Sequence, residues 1–267
     1  MQKVILCLVI IGGLLGLSGC LKDRSPAPTR DAAQRFLKLR GYDFNEKSFF
    51  AAAQARDMMA INGFIDAGIN PNAQDSDGRT VLISAAARGD LEVVNALLSR
   101  GADPNVKDQR GYTALSHAVD AMYEDVVDAL LNHPGVDPDC RGLNGRPVLL
   151  AYVWREDKQR VEKLLAHGAN VNAQDADGDG ALHGAAKAGN VEMIRMLLDK
   201  GANPNAKNRS GGTPLMWAAV FGHRDAAELL LSRGADASLK DKEGITAAEW
   251  AVRNKRDNVV PLLRRKR

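Results

Sequence analysis

Three carboxylates at alternate positions, Asp175, Asp177 and Asp179, are followed by Gly180. Hard oxygen donors in that spacing suit the first half of a calcium loop, whose twelfth position must supply a bidentate glutamate. That position here is Ala186, and an earlier stretch of the chain has the same character, Asp75-Ser76-Asp77-Gly78. An ordinary turn is therefore expected, and no metal. The five histidines, His117, His133, His167, His183 and His223, stand apart from one another without the paired spacing of a zinc site. The chain has no Walker-type phosphate loop and no Gly-x-Ser-x-Gly turn. No catalytic residue and no cofactor is expected. Apart from Cys7 and Cys20, the single thiol is Cys140, which has no intramolecular partner for a disulfide.

The sharpest local signal is N-terminal. Lys3 precedes an uncharged apolar run over residues 4–17, too short for a comfortable membrane span. The run closes on Leu17-Ser18-Gly19-Cys20. This resembles the lipobox of bacterial lipoproteins, which implies removal of residues 1–19 as a signal peptide and acylation of the Cys20 thiol and its new amine. Several acyl chains hold a protein on a bilayer far more firmly than one. Residue 21 is leucine and not aspartate, which in Gram-negative families implies the outer membrane, facing the periplasm. Residues 20–41 then read as lipidated cysteine, a polar tether containing Pro26 and Pro28, and a short helix through Ala33, Phe36, Leu37 and Arg40 that stops at Gly41. At the other end Arg253, Lys255, Arg256 and the four basic residues 264–267 face only Asp257. They form either a solvated terminus or a contact for anionic lipid or an acidic partner. The net charge of +3 is too small to argue for nucleic acid.

The elements behind these residues follow one period. Turn glycines fall at Gly78, Gly111, Gly145, Gly178, Gly211 and Gly244, at spacings of 33, 34, 33, 33 and 33. A second marker keeps the same step, as in Gly101-Ala102-Asp103-Pro104-Asn105 and Gly201-Ala202-Asn203-Pro204-Asn205. In one unit Thr80 caps a short helix with small Ala85, Ala86 and Ala87. Gly89 ends it, and Leu91, Val94, Leu97 and Leu98 stripe a second helix that Gly101 stops. A single unit cannot bury its apolar face, so neighbours must stack. Thr213-Pro214-Leu215-Met216-Trp217-Ala218, Thr113-Ala114-Leu115-Ser116-His117-Ala118 and Ala181-Leu182-His183-Gly184-Ala185 resemble the helix-opening motif of the ankyrin-repeat family.

That resemblance implies an all-α fold: an ankyrin-repeat solenoid over residues 42–267, of about seven helix-turn-helix units with short finger turns. The first and last units read as caps. The fourth departs furthest, with Pro147 in place of threonine, Glu156 in place of the helix-ending glycine, and His133-Pro134-Gly135-Val136 before it. The resemblance also implies a binding surface on the finger tips and the exposed end of each first helix. Matching positions hold Arg79 and Arg88; Arg110, Tyr112 and Asp120; Arg146, Trp154 and Arg155; Asp179 and Lys187; and Phe221. Aromatic and arginine side chains are the types that anchor interfaces. Trp154 and Phe221 fit either the surface or the packing between units, whereas Trp217 and Trp250 are expected in the core. The implied function is protein binding without catalysis. The partner is a toxic effector neutralised by an immunity protein, or a periplasmic enzyme such as a peroxide-detoxifying catalase served by a scaffold. An envelope-binding structural role is the remaining reading.

Overall fold

The computed structural model describes residues 28–264, apart from the side chain of Leu143. The signal segment, Cys20, most of the tether and residues 265–267 lie outside the described residues. The described chain is all-helical, with fifteen α-helices and only isolated β-bridges. Seven antiparallel helix pairs stack in sequence: α2 (Glu46–Gln54) with α3 (Met58–Asp66), α4 (Val81–Arg88) with α5 (Leu91–Ser99), and α6 (Ala114–Ala121) with α7 (Glu124–Leu131). Then come α8 (Val148–Trp154) with α9 (Lys158–Ala166), α10 (Ala181–Ala188) with α11 (Val191–Asp199), α12 (Pro214–Phe221) with α13 (Arg224–Ser232), and α14 (Ala247–Arg253) with the short α15 (Val260–Leu263). A preceding helix, α1 (Arg30–Leu39), lies against α3 and closes that end of the stack, with Arg40 just beyond it bonded to Asp57 at 2.8 Å.

First helices pack on first helices through fully buried alanines, among them Ala85, Ala118, Ala186 and Ala219. Second helices bring Leu97, Leu130, Leu164, Leu197 and Leu230 into the same continuous core. Small residues on one row and leucines on the other set a close and a wide spacing. Thr80, Thr113, Thr213 and Thr246 each accept the backbone N–H three residues on and cap their helices. Pro147 opens α8 without a side-chain cap. Gly180 has none either, but His183 Nδ1 accepts the Gly180 N–H at 3.1 Å while Nε2 meets the Gly212 carbonyl at 3.2 Å in the next finger. An accepting Nδ1 requires the neutral ring with its proton on Nε2.

Burial of His183 disfavours its charged form and lowers its pKa below 6.5, against the raising influence of Asp179 and the Gly212 carbonyl. A group whose folded pKa is depressed contributes stability that is present above its unfolded value and lost as pH falls through the folded one. Stability is therefore expected to decline below about pH 6.5. His183→Gln should flatten that part of a plot of Tm against pH.

The fingers are joined by a ladder that the turn chemistry of the markers does not announce. Asn72, Asn105, Asp139, Asn172 and Asn205 each accept, at 2.7–2.9 Å, a backbone N–H of the next unit, from Asp103, Asp137, Asn170, Asn203 and Asp236. Asn105, Asn172 and Asn205 also donate to the carbonyls of Gly135, Gly201 and Gly234. Polar backbone that the solenoid would otherwise leave between units is satisfied in this way.

Candidate protein-binding face

At the end of α8, Trp154 is 47% exposed, and Phe221 at the end of α12 is 38% exposed. Trp154 leans on the next unit at Gly184, where a Cβ would come within 3.0 Å of its indole nitrogen. Two cations lie over its ring: the Arg146 guanidinium at 4.9 Å from the centroid and the Lys187 ammonium at 5.4 Å. Lys187 also lies over Trp217 at 5.4 Å and over Phe221 at 5.9 Å. Trp217 stacks on Phe221, and Phe221 stacks on His223, both at 6.1 Å. Rings and cations thus form one strip across the fourth, fifth and sixth units. Among the described residues no carboxylate makes an ion pair with Arg146 or Lys187 within 4.0 Å.

Trp217 and Trp250, expected in the core, pack on it with one side only. They line an apolar surface groove of about 430 Å³ with Met216 and Val220. Trp250 Nε1 donates to Asp241 Oδ2 at 2.8 Å, as His117 Nε2 meets Asp108 Oδ2 at 2.8 Å at the corresponding position of the third unit. An indole N–H and a carboxylate at these positions need water or each other, which holds the rings at the surface.

Of the residues singled out by type and place, Arg146, Trp154, Lys187 and Phe221 are brought together. Asp120, Arg146, Trp154 and Arg155 line a cleft of about 290 Å³ between the third and fourth units. Tyr112 stands apart, edge-on to His117 at 5.6 Å. Arg79 and Arg110 sit in separate fingers, the first half-buried and the second exposed. Arg88 bonds Asp90 at 2.8 Å and the Ala53 carbonyl at 3.4 Å, and Arg155 bonds the Val119 carbonyl at 2.9 Å. Both guanidiniums thereby tie neighbouring units together. Asp179 accepts from Asn208 Nδ2 at 2.8 Å. Trp217 and His223 complete the strip without having been singled out for it. Their signal is spacing: Trp217 is one helical turn before Phe221, and His223 follows it by two residues.

The carboxylates of the calcium-like stretch have turn duties. Asp175 Oδ1 accepts the N–H of Asp177 at 2.9 Å and of Asp179 at 3.0 Å. Asp75, Asp108, Asn208 and Asp241 do the same in their own fingers. Among the described residues no group of His, Cys, Asp and Glu is placed to hold a metal ion. Cys140 is buried, and burial pushes its thiol up to about 12, so it carries almost no thiolate at neutral pH. No described helix is long and apolar enough to cross a membrane.

The family description "Ankyrin repeats (3 copies)" matches residues 33–141 and 149–241, more than half of the chain, and its break falls on the fourth finger. The chain is 36% identical over 143 residues to an ankyrin repeat-containing protein of Treponema pallidum (strain Nichols), a stretch covering 54% of this chain and 48% of that protein. It therefore spans about half the length of the curated relative it matches. Among solved structures it is similar to the ankyrin repeat domain of Bcl-3, a member of the IkappaB protein family. That match has a TM-score of 0.67 and 30% identity over 81% of this chain and 97% of that one. An ankyrin repeat domain from Acinetobacter baumannii AYE matches with a TM-score of 0.62 and 29% identity, over 68% of this chain and 95% of that one.

Proposed function

The chain belongs to the ankyrin-repeat family, whose fold generally mediates protein–protein interaction, and from that premise we propose that it is a lipid-anchored binding protein of the cell envelope. Residues 1–19 direct export, Cys20 carries the lipid, and the array faces the periplasm. The partner is a toxic effector that the chain neutralises as an immunity protein. The observation that carries the binding reading is the strip of Arg146, Trp154, Lys187, Trp217 and Phe221, in which two large rings stay exposed on a rigid face. Exposed aromatic side chains held by cations lose little freedom on docking, which favours them as anchors. The Leu17-Ser18-Gly19-Cys20 stretch supports the anchor.

Capture of envelope proteins on the lipidated full chain, compared with Trp154→Ala, tests the face. The variant is expected to bind its partner about thirty-fold more weakly, about 2 kcal/mol, with an unchanged helical circular dichroism spectrum. Equal capture by both chains sinks this assignment. Labelled palmitate that enters the wild type and not Cys20→Ala tests the anchor. Survival of a toxin-exposed strain only when the chain is present tests immunity. Peroxide sensitivity on deletion, without any change in toxin survival, points instead to a scaffold for a peroxide-detoxifying enzyme.

A further inference from the structure

The fourth finger departs from the others at its lead position. In five fingers that residue is Asp75, Asp108, Asp175, Asn208 or Asp241, whose side-chain oxygen takes the backbone N–H groups two and four residues on. The fourth finger has Gly142 there, and the Asp120 carboxylate of the preceding unit stands in the vacant space. Its oxygens lie 2.7 Å from where a Cβ on Gly142 would be. Beside this contact lies the 290 Å³ cleft, walled by Asp120, Asn144, Arg146, Trp154 and Arg155.

Among the described residues of this cleft, Arg146 carries a buried polar atom without a hydrogen bond. Its Nε is shut off from solvent and makes no hydrogen bond, and its one contact of note is the Trp154 ring. Arg155 beside it is already engaged by the Val119 carbonyl and by Glu124 at 3.6 Å. With Nε covered, it is the outer Nη edge of this half-buried side chain that an incoming carboxylate can meet with charge-assisted bonds. Charge complementarity agrees. Arg146 and Lys187 both lie over Trp154, and the one carboxylate in the cleft wall is Asp120.

Resting on the protein-binding reading above, we propose that this cleft is a socket for one acidic side chain of the partner. The partner's glutamate or aspartate carboxylate bonds Arg146, and its methylene stem lies on the exposed Trp154 ring. The irregular fourth unit is in this account a specificity device, which explains why its finger gives up the turn aspartate.

The test uses the full chain, labelled with ¹⁵N, and two probes: acetyl-Gly-Glu-Gly-amide and its glutamine counterpart. The glutamate peptide is expected to shift the Arg146 Nε–H and Trp154 indole N–H resonances and to bind at least ten-fold more tightly than the glutamine peptide. Arg146→Gln, with its circular dichroism unchanged, should abolish that difference. Equal response to both peptides, or a response that survives Arg146→Gln, overturns the socket. Inorganic phosphate binding as tightly as the glutamate peptide and displacing it also overturns the assignment, because the cleft is then a site for free anions. The two proposals fail separately. Capture that needs Trp154 but not Arg146 overturns the socket and keeps the binding face. Peptide binding that needs Arg146, with capture indifferent to Trp154, keeps the socket and overturns the face.

Discussion

Gly189→Ala is expected to destabilise the array by about 3 kcal/mol, a fall in Tm of roughly 6–12 °C for a domain of this size. Two effects add. Gly189 ends α10 at φ +71°, where a side chain is strained whatever the space around it. A Cβ there would also lie 2.5 Å from His223 Nδ1 and 2.6 Å from Cγ, atoms near the root of a ring that cannot swing aside cheaply. His223 is held in place by the Lys187 carbonyl at 3.0 Å and by its stack on Phe221. The partition can be measured. His223→Asn in the Gly189→Ala background removes the clash and is expected to leave only the backbone cost, about 1 kcal/mol. Urea unfolding of the two single variants and the double variant gives the cycle. Strict additivity of the two changes would show that ring and Cβ never meet.

This pairing shows what was legible in the sequence and what was not. The step of 33 or 34 residues locates the second to seventh units, because a glycine that must adopt positive φ at each of their fingers leaves a periodic mark. The end of the first helix leaves only a broken mark. Arg56, Met122, Glu156 and Lys255 all take the left-handed conformation without being glycine, at φ between 55° and 61°. The reason lies one unit on. Gly89, Gly189 and Gly222 sit beneath Tyr123, His223 and Arg256, whereas Arg56 and Glu156 sit beneath short Asp90 and Asn190, and each bonds the residue above it. Glu156 therefore reads in sequence as an irregularity but is a matched half of an inter-unit contact. The same holds for Asn172, whose side-chain oxygen staples its finger to the Asn203 N–H of the next unit. The strip of rings and cations was half legible. Trp154 and Phe221 stand where the family displays side chains, but Trp217 reads as core because an apolar residue on a buried-looking helix carries no sign of its exposed side. Contacts between units lie about one repeat apart in sequence, and only stacking reveals them.

Arg160→Met is expected to cost about 2 kcal/mol, and it tests how the fourth unit is held without the usual caps. The Arg160 guanidinium forms ion pairs with three carboxylates: Glu124 at 2.8 Å, Asp128 at 3.1 Å and Asp157 at 2.6 Å. It also lies 5.8 Å from the ring centroid of Tyr152, whose hydroxyl donates to Glu124 at 2.8 Å. Burial, the bond to Glu124 and the Glu124 charge all push the Tyr152 phenol upward, so it remains the donor. Methionine keeps much of the stem volume but strands the carboxylates. Removing one member of a fully buried network costs more than this, but Asp128 is 41% exposed and keeps Lys163 at 3.0 Å, so the value is discounted for solvent. Arg233→Met is the control. Its partner Asp199 is 57% exposed, and the loss should stay within about 0.5 kcal/mol. The pH dependence separates the charge effect from lost packing. Burial raises the Asp157 pKa, but the Arg160 backbone N–H and guanidinium outweigh it and hold the carboxyl below its ordinary 3.8. Such a carboxylate contributes stability that is present above its unfolded pKa and lost as pH falls through the folded one. The wild-type and Arg160→Met stabilities should then converge as pH falls below 3.8. A gap that stays constant through that range would assign the loss to packing on Tyr152 and not to the carboxylates.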